Sequence, residues 1–305
     1  MQRRTVLLGL ASSPILGAFA ADAEPAPRLA RLALFYDLKL AIVAGQVLQW
    51  RGNDRAQPID LDKPMHVAVA ARSGYAVDGD SQAWQWDAES RAPKRLLAGV
   101  RYLAAGETGL LAVRTDGSLW QRKSGWGDWK PVAPRAAQAW VGDSSDYYID
   151  HSAQLWASGR AHRGQYGTGQ LTDAPGWVPV ARDALSVCAH TGHAVYLRRD
   201  GAVLGTGGNR FGPLGPHGLG DKAERWGVIF TGAEQVATGS RHTVALRADG
   251  TLWGWGGGAS TVPRRLMDHV STMAAGDTET IALTRNGQIW QWKVGSQPMR
   301  LSVGA

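Results

Sequence analysis

The chain has 305 residues, 19% of them charged and 44% hydrophobic, a composition that excludes global disorder and allows one large domain with a substantial core. Its 39 Gly and 14 Trp favour tight turns and large packing side chains over helices. The formal charge is +7, but the basic residues are scattered and form no dense run typical of a nucleic-acid-binding arm. We therefore expect no nucleic-acid partner, whereas an acidic protein partner suits the charge.

Residues 1–23 are predicted to be an export signal. Arg3 and Arg4 precede an apolar stretch over 5–20, and small residues at 18–23 offer cleavage sites. The apolar stretch is short and contains Pro14, which argues against a permanent membrane span. The start resembles a twin-arginine signal, except for Gln2 before the pair and Val6 where Phe is usual, so this route and the general secretory route both remain open. We expect a periplasmic or secreted bacterial protein whose mature part, 24–305, is a single domain.

A repeated unit then runs to the end of the chain. In each copy an apolar strand ends at a turn, and the next strand usually carries Trp three or five residues after a reference position, Gly250 in the clearest copy. The seven reference positions are Gly45, Ser81, Gly117, Ala153, Gly201, Gly250 and Gly287. Their successive separations are 36, 36, 36, 48, 49 and 37 residues, which indicates repeated supersecondary units with insertions in the fourth and fifth.

Each unit reads as four short strands. The first is small and apolar and ends in Gly, as in 236–239, and the second is almost continuously apolar, as in 243–246. An Asp-Gly or Asn-Gly turn, a strong hairpin signal, often follows. Third and fifth positions after the reference lie on one face of the third strand and hold nine of the 14 Trp. We predict that these Trp pack between neighbouring sheets.

Seven such units predict an all-β protein, a seven-bladed β-propeller of four-stranded antiparallel blades. Ring closure hides the sheet edges that an open array would expose. A solenoid would need capping repeats with polar outer faces, but the first and last units here are like the others. The sequence leaves open which terminal strand closes the ring.

No sequence motif predicts catalysis, a cofactor or a metal site. Cys188, the only cysteine, occupies a repeat position held elsewhere by Ala104, Ala237 and Ala274, and is expected to be a small buried residue. His193 falls close to the repeat position of His242 and is expected to be structural. We predict a protein that is not an enzyme, and leave open a site assembled from several blades around the central channel.

The two insertions are the main candidates for function. Loops at one offset of every blade emerge on one face of the ring, so these two are expected to project side by side. Arg and aromatic residues on such a rim are favoured in protein-binding hot spots. The candidate partner-binding residues there are Arg160, His162, Arg163, Tyr166, Arg210, Phe211 and His217. The glycines and Asn209 are expected instead to fix turns and to pack against adjacent blades.

Some repeats resemble a known family. Residues 236–256, VATGSRHTVALRADGTLWGWG, resemble the repeat of the regulator-of-chromosome-condensation family. Residues 207–215, GGNRFGPLG, resemble its Gly-x-Asn-x-x-Gly-x-Leu-Gly loop, and 159–167 are a looser copy. Members are seven-bladed propellers used mainly as recognition platforms. The resemblance therefore implies that fold and a protein-binding role, here in an exported bacterial member.

The first three units depart from that repeat and are similar to tectonins, propeller lectins with Trp-rich repeats. Trp129, Trp177 and Trp226 share one offset and are expected to be structural, whereas Trp126 has no counterpart and is a candidate for sugar stacking or partner contact. The leading hypothesis is an exported, non-enzymatic scaffold or inhibitor that binds an unidentified protein through one loop-rich face. A glycan-binding lectin and an enzyme with a site in the channel remain as alternatives.

Overall fold

The computed structural model describes residues 29–123, 127–217, 220–258 and 260–302. In these ranges the chain forms seven antiparallel sheets of four strands each, which confirms the predicted seven-bladed β-propeller. Each blade consists of four strands consecutive in sequence, with the chain moving outward from the first strand to the fourth. The predicted export signal, residues 1–23, lies outside the described ranges and stays a prediction.

The strands recur in the same order in every blade. The innermost strands are β1 (Leu32–Phe35), β5 (Pro64–Ala70), β9 (Val100–Gly106), β13 (Gln138–Val141), β17 (Ala184–His190), β21 (Ala233–Thr238) and β25 (Val270–Gly276). The second strands are β2 (Leu38–Val43), β6 (Ser73–Asp78), β10 (Gly109–Arg114), β14 (Ser145–Ile149), β18 (His193–Arg198), β22 (His242–Arg247) and β26 (Glu279–Thr284). The third strands are β3 (Gln46–Arg51), β7 (Gln82–Asp87), β11 (Leu119–Lys123), β15 (Leu155–Gly159), β19 (Val203–Gly208), β23 (Leu252–Gly256) and β27 (Ile289–Lys293). The outer strands are β4 (Gln57–Ile59), β8 (Lys94–Ala98), β12 (Lys130–Ala133), β16 (Ala174–Ala181), β20 (Lys222–Phe230), β24 (Ser260–Met267) and β28 (Met299–Arg300). A short 3-10 turn, Gly215–His217, lies between β19 and β20.

The seven reference positions all sit in the turn between the second and third strands. Each has a positive φ, from 60° at Ser81 to 87° at Gly250, which explains why Gly occupies five of them. In the first blade Ala44 also has a positive φ, 49°, so this turn has two residues, as in a type I′ hairpin. The other six turns are longer by one residue or more, as the strand bounds show. The repeat identified from the sequence is thus a repeat of hairpin geometry.

Third-position Trp residues hold these turns in place. The indole Nε1 of Trp84 donates to Asp78 Oδ2 at 2.8 Å, and that of Trp156 donates to Asp150 Oδ2 at 2.9 Å. Trp253 makes the same kind of bond to the Thr251 hydroxyl, at 3.0 Å. These indoles are half-buried, so they bridge the core and the turn.

Trp residues at the fifth position connect their own blade to the preceding one. The indole Nε1 of Trp86, in the second blade, donates to Oε1 of Gln49 in the first at 2.7 Å, and both side chains are buried. In the third blade Arg122 stands at the fifth position, and its Nη2 donates to Gln85 Oε1 of the second blade at 3.3 Å. The predicted packing between sheets is therefore accompanied by a hydrogen bond across the seam.

The first and last blades meet across the same kind of seam. The indole Nε1 of Trp50 donates to Gln291 Oε1 at 2.8 Å, and Gln291 Nε2 donates to Asn53 Oδ1 at 2.9 Å. Beside them the fully buried Lys39 ammonium lies 2.7 Å from Glu279 Oε2. In the described residues no strand is exchanged between these blades. Side chains close the ring. None of the described residues forms a helix long and apolar enough to cross a membrane.

Candidate functional site

The two faces of the ring carry different connections. The turn face holds the reference turns, and the opposite face, here called the loop face, holds the loops between first and second strands and between third and fourth strands. Both insertions belong to the loop face, at 160–173 in the fourth blade and 209–221 in the fifth. The fourth-blade insertion also reaches the next blade: the Thr168 carbonyl accepts a bond from Arg225 Nη1, on β20 of the fifth blade, at 3.4 Å. The two insertions thus lie on the same face of neighbouring blades, as expected.

The fourth-blade insertion is partly core. The Tyr166 ring is only 3% exposed, and its hydroxyl donates to the Gly159 carbonyl at 2.8 Å. Gln165 is also buried; its carbonyl accepts from the Tyr147 hydroxyl at 3.0 Å, and its Oε1 accepts from Arg163 N at 2.8 Å. The expectation that Tyr166 lies on the rim is therefore wrong, because the loop folds this ring inward to fill the seam. Arg160, His162 and Arg163 are exposed.

The fifth-blade insertion is held by the family-like turn. Asn209 is buried, and its Oδ1 accepts from Leu214 N at 2.9 Å, closing the loop. The Pro213 carbonyl then accepts from Trp255 Nε1 of the sixth blade at 2.8 Å. Asn209 and its neighbouring glycines thus fix a turn that packs into the next seam, as expected.

Phe211, at the tip of this insertion, is 37% exposed and lies between two guanidinium groups. Arg241 Cζ is 4.5 Å from the ring centroid and Arg210 Cζ is 5.7 Å from it, distances typical of cation–π pairs. We call Arg210, Phe211 and Arg241 the Arg–Phe cluster. Arg241 comes from the loop between β21 and β22, so two blades build the cluster. The sequence did not reveal Arg241 because its proximity to Phe211 depends on packing between blades.

The remaining predicted residues fall into two groups. Trp126 lies outside the described residues, as does the side chain of His217, so their assignment stays a prediction. Trp177 and Trp226 pack edge-on against Tyr148 and Tyr196, with ring centroids 4.9 Å and 4.8 Å apart. Trp129 is half-buried under the Arg122 guanidinium, whose Cζ lies 5.4 Å from the ring. These three indoles are structural.

The centre of the loop face is acidic where its rim is basic. Glu107, Asp143 and Asp277 stand near the mouth of the channel, and the Tyr36 hydroxyl donates to Glu107 Oε1 at 3.1 Å. The bond to Glu107 and its charge are the main causes that raise the pKa of Tyr36, with further contributions from Asp143 and Asp277. The three carboxylates therefore act together on one point at the mouth.

His190 and Ser240 stand at this mouth in an arrangement that differs from a catalytic triad. His190 Nδ1 lies 3.2 Å from Asp143 Oδ2 and 3.2 Å from Ser240 Oγ. A triad places the serine and the acid on opposite ring nitrogens, whereas here both contact Nδ1. Burial works to raise the pKa of Asp143, but bonds from His190 and Thr191 outweigh it and lower that pKa. The described residues contain no group of three or more His, Cys, Asp or Glu that could hold a metal ion.

A central cavity of about 490 Å³ runs through the ring, lined by the innermost strands of all seven blades. One residue per blade lines the cavity from an equivalent position, 13 positions before the reference residue in six blades and 12 before it in the first, and we call this ring of residues the waist. These waist residues are Ala33, Ala68, Ala104, Trp140, Cys188, Ala237 and Ala274. Six are small and one is Trp.

Trp140 is the second residue that sequence reasoning missed. It lies on β13 outside the third-strand Trp positions, and is half-buried against the seam between the fourth and fifth blades. Aligning the innermost strands gives the available signal, a Trp where the other blades have Ala or Cys. Its Nε1 donates to the Ala189 carbonyl at 2.9 Å.

Cys188 is buried, as expected. Burial raises the pKa of its thiol to about 12, so the group is protonated and unreactive at neutral pH.

Known proteins share the fold and one stretch of sequence. Residues 233–260 match the family model described as the regulator of chromosome condensation (RCC1) repeat. Yeast RCC1 (Prp20), in the crystal structure of its complex with Kap60, superposes with a TM-score of 0.70 at 16% identity, over 81% of this chain and 78% of the yeast chain.

Two further structures show the same architecture. Human WBSCR16 has a TM-score of 0.70 at 14% identity, over 82% of this chain and 84% of its own. The CRINKLY WD40 ectodomain of the Arabidopsis thaliana receptor kinase ACR4 has 0.63 at 12%, over 90% and 99%. Comparison with curated protein sequences finds no match. The chain thus contains one stretch that matches the RCC1 repeat, within a seven-bladed fold shared with yeast RCC1.

Proposed function

We propose that this protein is an exported propeller that binds an acidic region of another protein through the fourth to sixth blades of its loop face, without chemistry of its own. The Arg–Phe cluster is the observation that carries this proposal. Arg and aromatic side chains are enriched in binding hot spots, where they supply contact area and charge together. The export signal predicted for residues 1–23 supports a periplasmic or secreted location.

Apolar surface continues beside the cluster. The Gly258 amide donates to the Phe211 carbonyl at 3.3 Å, which brings the start of β24 against the fifth-blade insertion. Val262 on that strand is 58% exposed. An exposed Phe and Val bordered by several Arg form a patch with an apolar centre and a charged rim, the usual anatomy of a protein interface.

Basic residues extend the patch along the rim. Arg163 in the fourth blade is exposed, and its stem lies over Gly192, where a Cβ would overlap it. Arg160 and His162 are exposed on the same insertion. Together with Arg210 and Arg241, Arg160 and Arg163 form an arc of positive charge over three blades, which favours association with an acidic partner. The yeast RCC1 structure contains a protein partner, Kap60; protein binding by such a propeller supports the proposal by analogy.

Point substitutions test this better than loop deletion, because Tyr166, Asn209 and Pro213 tie the insertions into the seams. The mature protein is immobilised and used to capture partners from periplasmic extract, which are identified by mass spectrometry. We expect the double variant Phe211→Ala, Arg241→Ala to lose at least about tenfold of the captured partner, since one hot-spot residue is worth about 2 kcal/mol or more.

Arg95→Ala is the matched control. Arg95 also stands over an indole, with its Cζ 5.7 Å from the Trp84 ring, but it lies on the outer strand β8, outside the Arg–Phe cluster. This variant is expected to capture the partner as the wild type does. Equal capture by the Phe211/Arg241 variant would refute the assignment of this surface.

A further inference from the structure

We infer that the central cavity is a binding site for a small organic cation, an apolar body carrying an amine or quaternary ammonium group, which enters through the acidic mouth of the loop face. This site is separate from the protein-binding surface proposed above. It rests on the shape of the cavity, on Trp140 and on the charges that line it.

The size of the cavity suits a small molecule. Its volume of about 490 Å³ falls within the range of about 300–1,000 Å³ typical of ligand pockets. The waist is small and apolar apart from Trp140, so the walls can enclose an apolar body without leaving polar groups unpaired.

Trp140 supplies the feature that favours a cation. Because its Nε1 is occupied by the Ala189 carbonyl, the indole offers ring atoms, and no free donor, to the cavity it lines. An indole is the aromatic group that best stabilises a nearby cation, and the interaction strengthens when water is excluded.

The lining of the cavity contains carboxylates and two histidines, of which His190 contacts Asp143 Oδ2 through its Nδ1 at 3.2 Å. The carboxylates are those of Asp143 and Glu234, and among the described residues the lining includes no Lys or Arg. His66 is buried in the wall and accepts a bond from Ala30 N at Nδ1; burial lowers its pKa to about 4, which keeps it uncharged. A protein of formal charge +7 thus has an interior that repels anions and attracts cations.

The loop-face end of the cavity is polar and can hold the charged group of the ligand. Asp143 lies three residues after Trp140 and lines the cavity at the loop face, where Glu107 and Asp277 add negative potential. Leu29 and Ala30, which precede β1, line the cavity as well, and the Ala30 carbonyl accepts from Val67 N at 3.0 Å. The chain therefore crosses the other end of the cavity, and the acidic mouth is the entrance.

Calorimetry on the purified mature protein with three probes tests the inference. The probes are benzyltrimethylammonium, its neutral isostere neopentylbenzene and the anion phenylacetate. We expect the cation to bind at least about tenfold more tightly than the isostere, corresponding to about 1.4 kcal/mol, and phenylacetate to bind more weakly than either. Equal affinity for cation and isostere, or absence of cation binding, would overturn the inference.

Variants locate the site. Trp140→Leu is expected to weaken binding of the cation about tenfold and to change that of the isostere less than about twofold, since only the ring is lost. Trp84→Leu, at a half-buried indole away from the cavity, is the matched control and should change neither. Ala274→Leu puts a larger side chain into the waist and is expected to abolish binding of both. Undiminished binding to a folded Ala274→Leu variant would place the ligand elsewhere and refute the site, even if Trp140→Leu fails to fold.

Discussion

Three histidines buried in the seams should make the protein strongly acid-sensitive. Burial lowers the pKa of His66 to about 4, of His193 to about 3 and of His242 to about 4. Each makes a close contact across a seam; for example, His193 Nε2 lies 2.7 Å from the Thr238 hydroxyl. The unfolded chain protonates these groups below about pH 6.5, whereas the folded protein does not. Stability therefore falls as the pH drops from about 6.5 toward about 4.

Asp146 opposes this effect. Burial raises its pKa to about 6, despite bonds from Thr108 and Gln121 that work to lower it. Between about pH 6 and about pH 4 the folded protein binds this proton and the unfolded chain does not, so acidification favours the folded state here. At about pH 5 the three histidines together destabilise the folded state by about 6 kcal/mol and Asp146 stabilises it by about 1 kcal/mol. The net loss relative to pH 8 is about 5 kcal/mol.

Urea unfolding followed by tryptophan fluorescence, at several values between pH 8 and pH 5, measures this loss. His242→Gln, whose amide can still bond Thr280, should reduce the loss at about pH 5 by about 2 kcal/mol, and Asp146→Asn should increase it by about 1 kcal/mol. The reasoning fails if stability is flat over this range, or if His242→Gln leaves the loss unchanged.

Further predictions concern the seams, the turns and the thiol. Trp86→Phe removes the bond to the buried Gln49 and is expected to destabilise the protein by about 1–3 kcal/mol in urea unfolding. Arg210→Phe, at an exposed position, should change stability by less than about 0.5 kcal/mol. Gly207 and Gly287 both have positive φ, but a Cβ at Gly207 would overlap the Gly192 carbonyl while Gly287 faces open space. Gly287→Ala should cost about 1–2 kcal/mol and Gly207→Ala more, and equal losses in the same assay would contradict the close approach. Cys188 should react with a thiol reagent only after unfolding, because the native thiol is buried and protonated; rapid labelling of the folded protein at neutral pH would contradict a protonated thiol.

Much of the fold follows from local sequence. The seven turns can be located in the sequence because a positive φ restricts the residue type at one position, and five of the seven carry Gly. The positions of the small waist residues can also be predicted from the sequence, since a fixed offset from the turn places them on the innermost strand. Both features depend on residues close together in the chain, and they recur with the period of the repeat, so the sequence alone reveals them.

The site was less predictable, because it depends on contacts between blades. Tyr166 looks like a rim residue within its Gly-rich loop, yet the loop turns the ring toward Gly159 and the seam. Arg241 contacts Phe211 from the neighbouring blade, and the spacing of these residues in the sequence does not predict that contact. Trp140 could have been found by comparing the innermost strands, but its exposure to the cavity follows only from ring closure.

The way the ring closes also shapes how the protein folds. Since every blade is a contiguous stretch, its strand ladders form between residues near in sequence, and the contact order within a blade is low. The exception is the last seam, where Trp50 meets Gln291 across 241 positions. Closing a loop of that length costs about 5 kcal/mol in chain entropy. The buried hydrogen bonds and packing of this one seam must together offset that cost. The nascent chain can therefore build its blades in order, while the native state exists only once the last blade has docked on the first.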